Sequence, residues 1–421
     1  MHAHSERSVA LSAMKQRTLL ITLTGPDRPG VTSRLFTVLA SFPVTVADVE
    51  QVVIRGRLVL GVLVAYAGGP PTGTGGTLGA MWAAVERVAE DLGMEVELTT
   101  GTDSKEKRRR GRLHVTVLGN PLQPAALAGI AGRIAAAGAN IDRIERLAHS
   151  PVTCIEMAIS GGDPDAMRTA LTAEAVLQQV DVAVQRSGLH RRAKRLIVMD
   201  VDSTLIQGEV IELLAAHAGC MDEVEKITTA AMRGELDFAA SLRERVALLE
   251  GLPEEVFEQV RGEVVLTPGA RTLVRTLKRL DYRFAIVSGG FTQITDSLVA
   301  ELGIDYSAAN TLEVADGKLT GRVVGEIVDR PGKARALERF AAQANIPISQ
   351  TVAIGDGAND LDMIAAAGLG IAFNAKPVLR QAADAAVNVP YLDAIVYLLG
   401  ISRDEVEAAD AEDGLLPLPP D

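Results

Sequence analysis

The stretch Arg195 to Val210, RLIVMDVDSTLIQGEV, decides how the chain is read. Four apolar residues, Leu196 to Met199, run into Asp200, and a second acid, Asp202, follows two places on. A short unbroken apolar run closed by polar residues is the pattern of a strand buried on both faces, as in a parallel sheet covered by helices. In such sheets ligands gather beyond the carboxyl ends of the strands. Two carboxylates aimed out of that end mark a first candidate site. A lone Asp-x-Asp is also what a turn or a helix cap uses, so the rest of the chain has to decide.

Downstream, a helical region from about Val210 to Val260, rich in Ala, Leu, Glu and Arg, interrupts an alternation of strands and helices. The alternation resumes at FAIVSGG from Phe284 and passes through GKLTGRVVGEIV, read as a hairpin. It continues with TVAIGDGAND from Thr351 and a last short strand near LGIAF. The economical fold is a doubly wound, mostly parallel α/β sheet. Polar tips recur along it: Ser288 and Gly289 after FAIV, Lys333 opening a helix in DRPGKARALERF, and Asp356 with Asn359 and Asp360 after TVAI. Singly, GDGAND is also a calcium-binding turn or a plain loop, and Lys333 a solvated helix residue. Together they supply a hydroxyl, an ammonium and carboxylates, the groups needed for Mg²⁺-assisted phosphoryl transfer through an aspartyl-phosphate. In that chemistry Asp200 attacks phosphorus, Asp356 is the second carboxylate on the metal, and Lys333 and Ser288 hold phosphoryl oxygens. Asp202 protonates the leaving alkoxide and later activates water.

Upstream, TLLITLTGPDRPGVTSRLF from Thr18 opens a strand, a Gly/Pro turn and an amphipathic helix, followed by two strand-like runs. A second copy begins at Leu113, and placing Gly25 over Gly119 sets Asp48 over Asp142 without a gap, which marks an internal repeat. Between the copies SKEKRRRGR, Ser104 to Arg112, carries basic residues with no interleaved aromatics and reads as a solvated connector rather than a nucleic-acid patch. A second basic stretch, HRRAKR from His190 to Arg195, marks the next boundary. The expected organisation is a flexible leader (1–17), two repeats (18–103 and 112–186) and a sheet domain (195–400) with a helical insert at about 210–268. A frayed acidic, Pro-rich tail (401–421) closes it.

A chain of 421 residues, 48% hydrophobic and 23% charged, has the balance of a multidomain globular protein. A net charge of -12 argues against a general affinity for nucleic acid or anionic membrane and favours small-molecule partners. Cys154 and Cys220 stand far apart, so no disulfide framework or thiolate zinc site is indicated, and a reducing, cytoplasmic setting is expected. No apolar run approaches the ~20 residues that span a bilayer.

The set DVDST (200–204), SGG (288–290), Lys333 and GDGAND (355–360) resembles the haloacid dehalogenase superfamily, its phosphoserine phosphatase branch in particular, over about Arg195 to Gly400. The resemblance implies Asp200 as nucleophile, Asp202 as general acid and base, and Mg²⁺ on Asp200, the Asp202 backbone carbonyl and Asp356. It also implies Ser288, Gly289 and Lys333 on the phosphate, with Asn359 and Asp360 supporting the metal and its waters at the substrate. The helical insert resembles the family's small cap, in which Glu209 and Arg245 match the residues for the ammonium and carboxylate of the substrate. Met232 and Phe238 match its apolar lining. The repeats resemble paired ACT domains, ferredoxin-like βαββαβ modules that bind amino acids at subunit interfaces. GPDRPGV, Gly25 to Val31, matches their ligand loop, whereas GNPLQPA keeps Gly119 and lacks the Asp-Arg pair and the following Gly.

The implied protein is an Mg²⁺-dependent phosphatase for O-phospho-L-serine, acting at the last step of serine biosynthesis. It would be regulated by L-serine or a related amino acid around Gly25, Asp27 and Gly30, in a homo-oligomer joined through ACT domains, a dimer first. Two alternatives stay open: a phosphatase for another phosphorylated small molecule or phosphoprotein, and a non-enzymatic amino-acid sensor. The intact acids at 200, 202 and 356 weigh against the sensor.

Overall fold

In Arg17–Pro26 (β1), Leu19, Ile21 and Leu23 are fully buried and alternate with more exposed residues, the pattern of a sheet covered on one side. Helices Val31–Leu39 and Thr77–Leu92 supply that cover through Val31, Leu35, Met81 and Val85. With Val44–Ile54 (β2), Arg57–Tyr66 (β3) and Glu95–Thr102 (β4), β1 builds an antiparallel sheet in the order β2-β3-β1-β4. This βαββαβ module belongs to one compact unit, Met1–Arg109, and everything after it to another, Arg110–Asp421. The computed structural model describes residues 17–66, 77–102, 112–232 and 237–415, with the side chains of 231 and 232 also left out. Most of the leader and all but the last residue of the basic linker lie outside the described residues, and Arg17 already belongs to β1.

The second copy repeats the element order with Leu113–Gly119 (β5), Asn140–Ala148 (β6), Thr153–Ser160 (β7) and Asp181–Arg186 (β8). Gly25 and Gly119 stand at equivalent ends of β1 and β5, and Asp48 and Asp142 lie on β2 and β6.

The opening stretch is the strand Leu196–Met199 (β9), wholly buried. Leu196 and Val198 enter one core with Leu337, Phe340 and Met363, while Ile197 and Met199 enter the other with Val274, Leu277 and Ile395. A strand buried on both faces needs apolar side chains at every position, which explains the run without alternation. Around it lie Arg283–Phe291 (β10), Tyr306–Ala315 (β11), Lys318–Val324 (β12), Thr351–Gly355 (β13), Gly370–Phe373 (β14) and Ala385–Val387 (β15). β9 pairs in parallel with both β10 and β13, so Met199, Ile286 and Ile354 share one level. Asp200, Ser288 and Asp356 follow within two residues of that level, at the carboxyl ends.

The insert is four helices, Val210–Ala218, Met221–Met232, Phe238–Ala247 and Val256–Glu263. It leaves and rejoins the sheet domain through an antiparallel neck in which Ile206 bridges Leu266 and Thr267 N donates to Leu205 O.

Four expectations change. The hairpin is β11 with β12, turning at Asp316 and Gly317, both with φ above 50°, so GKLTGRVV is only its second arm. LGIAF is not the last strand, because β15 follows it in parallel. The basic stretch at 190–195 is no loose connector. Buried Arg191 pairs with Glu156 of β7, and Lys194 Nζ donates to Ser349 O at 2.7 Å and Gly368 O at 2.6 Å. Across it β8 pairs with β15, joining the second repeat and the sheet domain in one eleven-stranded sheet, β12-β11-β10-β9-β13-β14-β15-β8-β5-β7-β6. The acidic tail is not frayed through its described part. Arg403–Glu412 is a helix capped by Ser402 and Glu405, and Asp410 pairs with Arg275 and Arg279. Among the described residues no helix is long and apolar enough to cross a membrane.

Candidate active site

Asp200 follows the end of β9, 2% exposed, and its carboxylate accepts from Val201 N at 2.7 Å. The turn after it holds Ser203 at φ 56°, a left-handed conformation that bends the chain back so that Ser203 N reaches Gly208 O. This bend swings Asp202 alongside β10. Asp202 Oδ2 accepts from Ser288 Oγ at 2.9 Å, and Oδ1 accepts from Val210 N at 2.8 Å, where the first cap helix begins. Ser288 Oγ in turn accepts from Gly290 N at 2.7 Å.

Lys333, 1% exposed, lies beneath Asp200 with Nζ 2.6 Å from Asp200 Oδ2 and 2.8 Å from Asp360 Oδ1. Burial works to deprotonate the ammonium, but the two carboxylates outweigh it and raise its pKa. Asp360 is fully buried, and its Oδ2 accepts from the backbone N–H groups of Asp356 and Gly357, fixing the loop after β13. Thr204 Oγ1 donates to Asp356 Oδ1 at 3.2 Å.

Asp200, Asp356 and Asp360 bring carboxylate oxygens within 4.8 Å of one another. Burial, then the charge of Asp360, pushes Asp200 well above the ordinary carboxylate range. The same two causes push Asp356 up to about 6. Lys333 alone does not neutralise three acids, and an all-oxygen donor set of this kind fits a hard divalent cation.

Above these groups opens a cavity of about 580 Å³. Asp200, Asp202, Asp356 and Asn359 line it from the sheet, with Gly289 and Gly290 from β10, and Glu209, Phe238 and Arg245 from the insert. Burial, then the charge of Asp202, raises the Glu209 pKa. Burial lowers that of Arg245, against the opposing pull of Glu209. The Phe238 ring rests on the backbone of Gly289, where an added Cβ would come 3.0 Å from Phe238 Cζ.

The haloacid dehalogenase-like hydrolase family matches residues 197–365, and the ACT domain family matches residues 17–99 and, in a second form, 113–185. A phosphoserine phosphatase of Streptomyces coelicolor is 62% identical over 393 residues, covering 93% of this chain and 94% of that protein. The chain belongs to the phosphoserine phosphatase family of haloacid dehalogenase-like hydrolases. A second member of that family, from Mycobacterium tuberculosis, is 53% identical over 398 residues, 94% of this chain and 96% of its own. Among solved structures, a haloacid dehalogenase family hydrolase from Salmonella enterica serovar Typhi covers 68% of this chain and 98% of its own, with TM-score 0.61 and 27% identity. The unliganded probable phosphoserine phosphatase of Vibrio cholerae covers 71% and 88%, with TM-score 0.54 and 37% identity.

Of the site residues expected from sequence, this phosphoserine phosphatase family member gathers Asp200, Asp202, Glu209, Phe238, Arg245, Gly289, Asp356 and Asn359 around one cavity. Ser288 and Lys333 stand behind it, each bonded to one of the two leading acids. Met232 ends its helix, and its side chain lies outside the described residues. In the first ACT domain Gly25, Asp27 and Gly30 occupy the loop between β1 and its helix. Gly30 takes φ 94°, which favours glycine, and Asp27 N donates to Gly56 O at 2.8 Å. Gly25 leaves no room for a side chain against Met94, nor Gly119 much against Leu122. Sequence reasoning passed over Thr204, Ser241, Arg330 and Lys376, of which the last three line the cavity. Lys376 follows the end of β14 by three residues, so the strand-end rule that found Asp356 was signal enough to find it.

Proposed function

We propose that the protein is an Mg²⁺-dependent phosphatase that hydrolyses O-phospho-L-serine to serine and phosphate through an aspartyl-phosphate on Asp200. One observation carries the substrate. The acids at the sheet end face a cap holding buried Glu209 and Arg245, two opposite charges that burial disfavours, and a phosphate ester bearing an ammonium and a carboxylate would satisfy both.

In this reading the Asp200 carboxylate attacks phosphorus, a bond from phosphorus to its oxygen forms, and the bond to the serine oxygen breaks. Asp202 gives its proton to the leaving alkoxide. It then takes a proton from water, whose oxygen attacks phosphorus and releases the Asp200 carboxylate with inorganic phosphate. Mg²⁺ held by Asp200, Asp356 and the Asp202 carbonyl, with Asp360 beside them, would offset the repulsion between two anions. Lys333 fixes Asp200, and Ser288 holds Asp202 in line with the leaving group. Gly289 and Asn359 line the phosphate's side of the cavity, and Phe238 helps shut out water. The setting would be the cytoplasm and the pathway serine biosynthesis. An amino acid such as L-serine would act at Gly25, Asp27 and Gly30 in a homodimer.

The deciding experiment is phosphate release with Mg²⁺ from phosphoserine, phosphothreonine and a simple aryl phosphate. Strong preference for phosphoserine supports the reading. Turnover of the aryl phosphate alone would keep the chemistry and discard the substrate. Glu209→Gln tests the ammonium site: its KM for phosphoserine is expected to rise about 10- to 100-fold, as for losing a hydrogen bond to a charged group. An unchanged KM would remove Glu209 from the substrate.

Gly290→Ala tests the placing of Asp202. An added Cβ would stand 2.9 Å from Ser288 Oγ and 3.0 Å from Asp202 Oδ2, too close for either to stay. The Gly290 backbone has no positive φ, so folding tolerates alanine while the general acid is displaced. The expected result is a kcat lower by about 10²-fold or more, the scale of a general acid. Wild-type kcat would show that Asp202 works from another position.

A further inference from the structure

Four hydroxyls among the described residues are buried without a hydrogen-bond partner: Thr116, Ser241, Thr276 and Thr295. Only Ser241 lines the cavity. It is 1% exposed and sits on the cap helix Phe238–Ala247, one turn before Arg245. Residues four apart share a helix face, so hydroxyl and guanidinium address the same region. Ser241 also steers Arg245, because its backbone O accepts from Arg245 Nε at 3.3 Å, leaving the other guanidinium nitrogens for the cavity. A buried hydroxyl without a partner costs free energy in the free protein, and that cost is removed when a ligand supplies the partner.

We propose that Ser241 is a specificity residue, donating its Oγ–H to the substrate carboxylate that Arg245 binds. This rests on the phosphoserine reading and deepens it. Arg245 supplies charge. Ser241 supplies a neutral donor at a fixed place on the same helix face, so that a carboxylate is read by two directions of approach. A phosphate ester without a carboxylate leaves the hydroxyl unpartnered and gains nothing from it.

The test uses the full-length protein with O-phospho-L-serine and O-phosphoethanolamine, which keeps the phosphate and ammonium and lacks the carboxylate. Where phosphoethanolamine turns over too slowly, its competitive inhibition constant replaces kcat/KM. Ser241→Ala is expected to lower kcat/KM for phosphoserine about 10- to 100-fold, the range for losing a hydrogen bond to a charged group, and to leave phosphoethanolamine within about threefold. Its thermal midpoint is expected not to fall, since the hydroxyl removed has no partner in the free protein; a merely structural serine would lower it. Equal losses on both compounds, or no loss on phosphoserine, would overturn the proposal. Failure of the wild-type protein to hydrolyse phosphoserine would instead strike the underlying reading, and with it the proposal, before the variant is measured.

Discussion

Asp200→Asn is expected to end phosphate release while leaving the fold intact. If Asp200 is the nucleophile, the loss should be on the order of 10⁴-fold or more, the scale seen when a nucleophile is deleted. The informative half of the experiment is stability without divalent cations. Burial and the neighbouring Asp360 raise the folded-state pKa of Asp200, so its ionised form is less favourable folded than unfolded. The penalty is absent below the unfolded value of about 3.9 and grows as pH rises from there toward the raised folded value, so near neutrality it is fully present. Asparagine removes that charge at nearly constant volume, and Lys333 keeps Asp360 as its partner. The thermal midpoint of the metal-free variant is therefore expected to equal or exceed that of the wild type at pH 7, with the gap closing as pH falls. A midpoint several degrees lower would mean that the Asp200 carboxylate serves chiefly to anchor Lys333.

The same physics explains what the sequence disclosed. β9 was legible because a strand buried on both faces writes its environment into every residue, and its acids then fell at a strand end with nothing else to do. Glu209 and Arg245 were legible only through a family pattern, since a charged residue on an Ala- and Leu-rich helix is ordinarily solvated. Ser241 carried no signal, because a helix serine becomes unusual only once its surroundings leave it without a partner. The tail misled through composition: acid and proline suggested fraying, although Ser402 and Glu405 stand in the three-residue spacing of a capping box before the helix. β15 is three small residues, Ala385–Val387, too short and too poor in branched side chains to announce a strand. Arg191 and Lys194 hid a junction because buried cations look in sequence like exposed ones.

That junction carries the second large expected effect. A chain starting at Arg110 keeps its whole compact unit and is expected to fold and retain activity, whereas a chain starting at Arg195 is not. The shorter cut removes β8, the partner of β15, and with it Asp181, which accepts from Asn388 N at 2.6 Å and Asn388 Nδ2 at 2.5 Å. It removes Gln185, whose amide donates to Leu398 O at 2.8 Å. It strips Leu118, Leu147, Val152 and Cys154 from the core they share with Ile395, Tyr397 and Leu398. Each hydrogen bond to the buried carboxylate is worth about 1.5–3 kcal/mol, and each large side chain returned to water costs about as much. Several such losses together approach the 5–15 kcal/mol that holds a whole domain, and they bare a strand edge prone to self-association. The damage would also reach the cavity, because Asn374 N donates to Val387 O, and two residues earlier than that helix begins Lys376 N donates to Asp356 O. Circular dichroism, thermal unfolding and phosphate release on the two truncations check this. A 195–421 chain that stays monomeric with the midpoint and kcat of the 110–421 chain would show that the second ACT module lies on the catalytic sheet without supporting it.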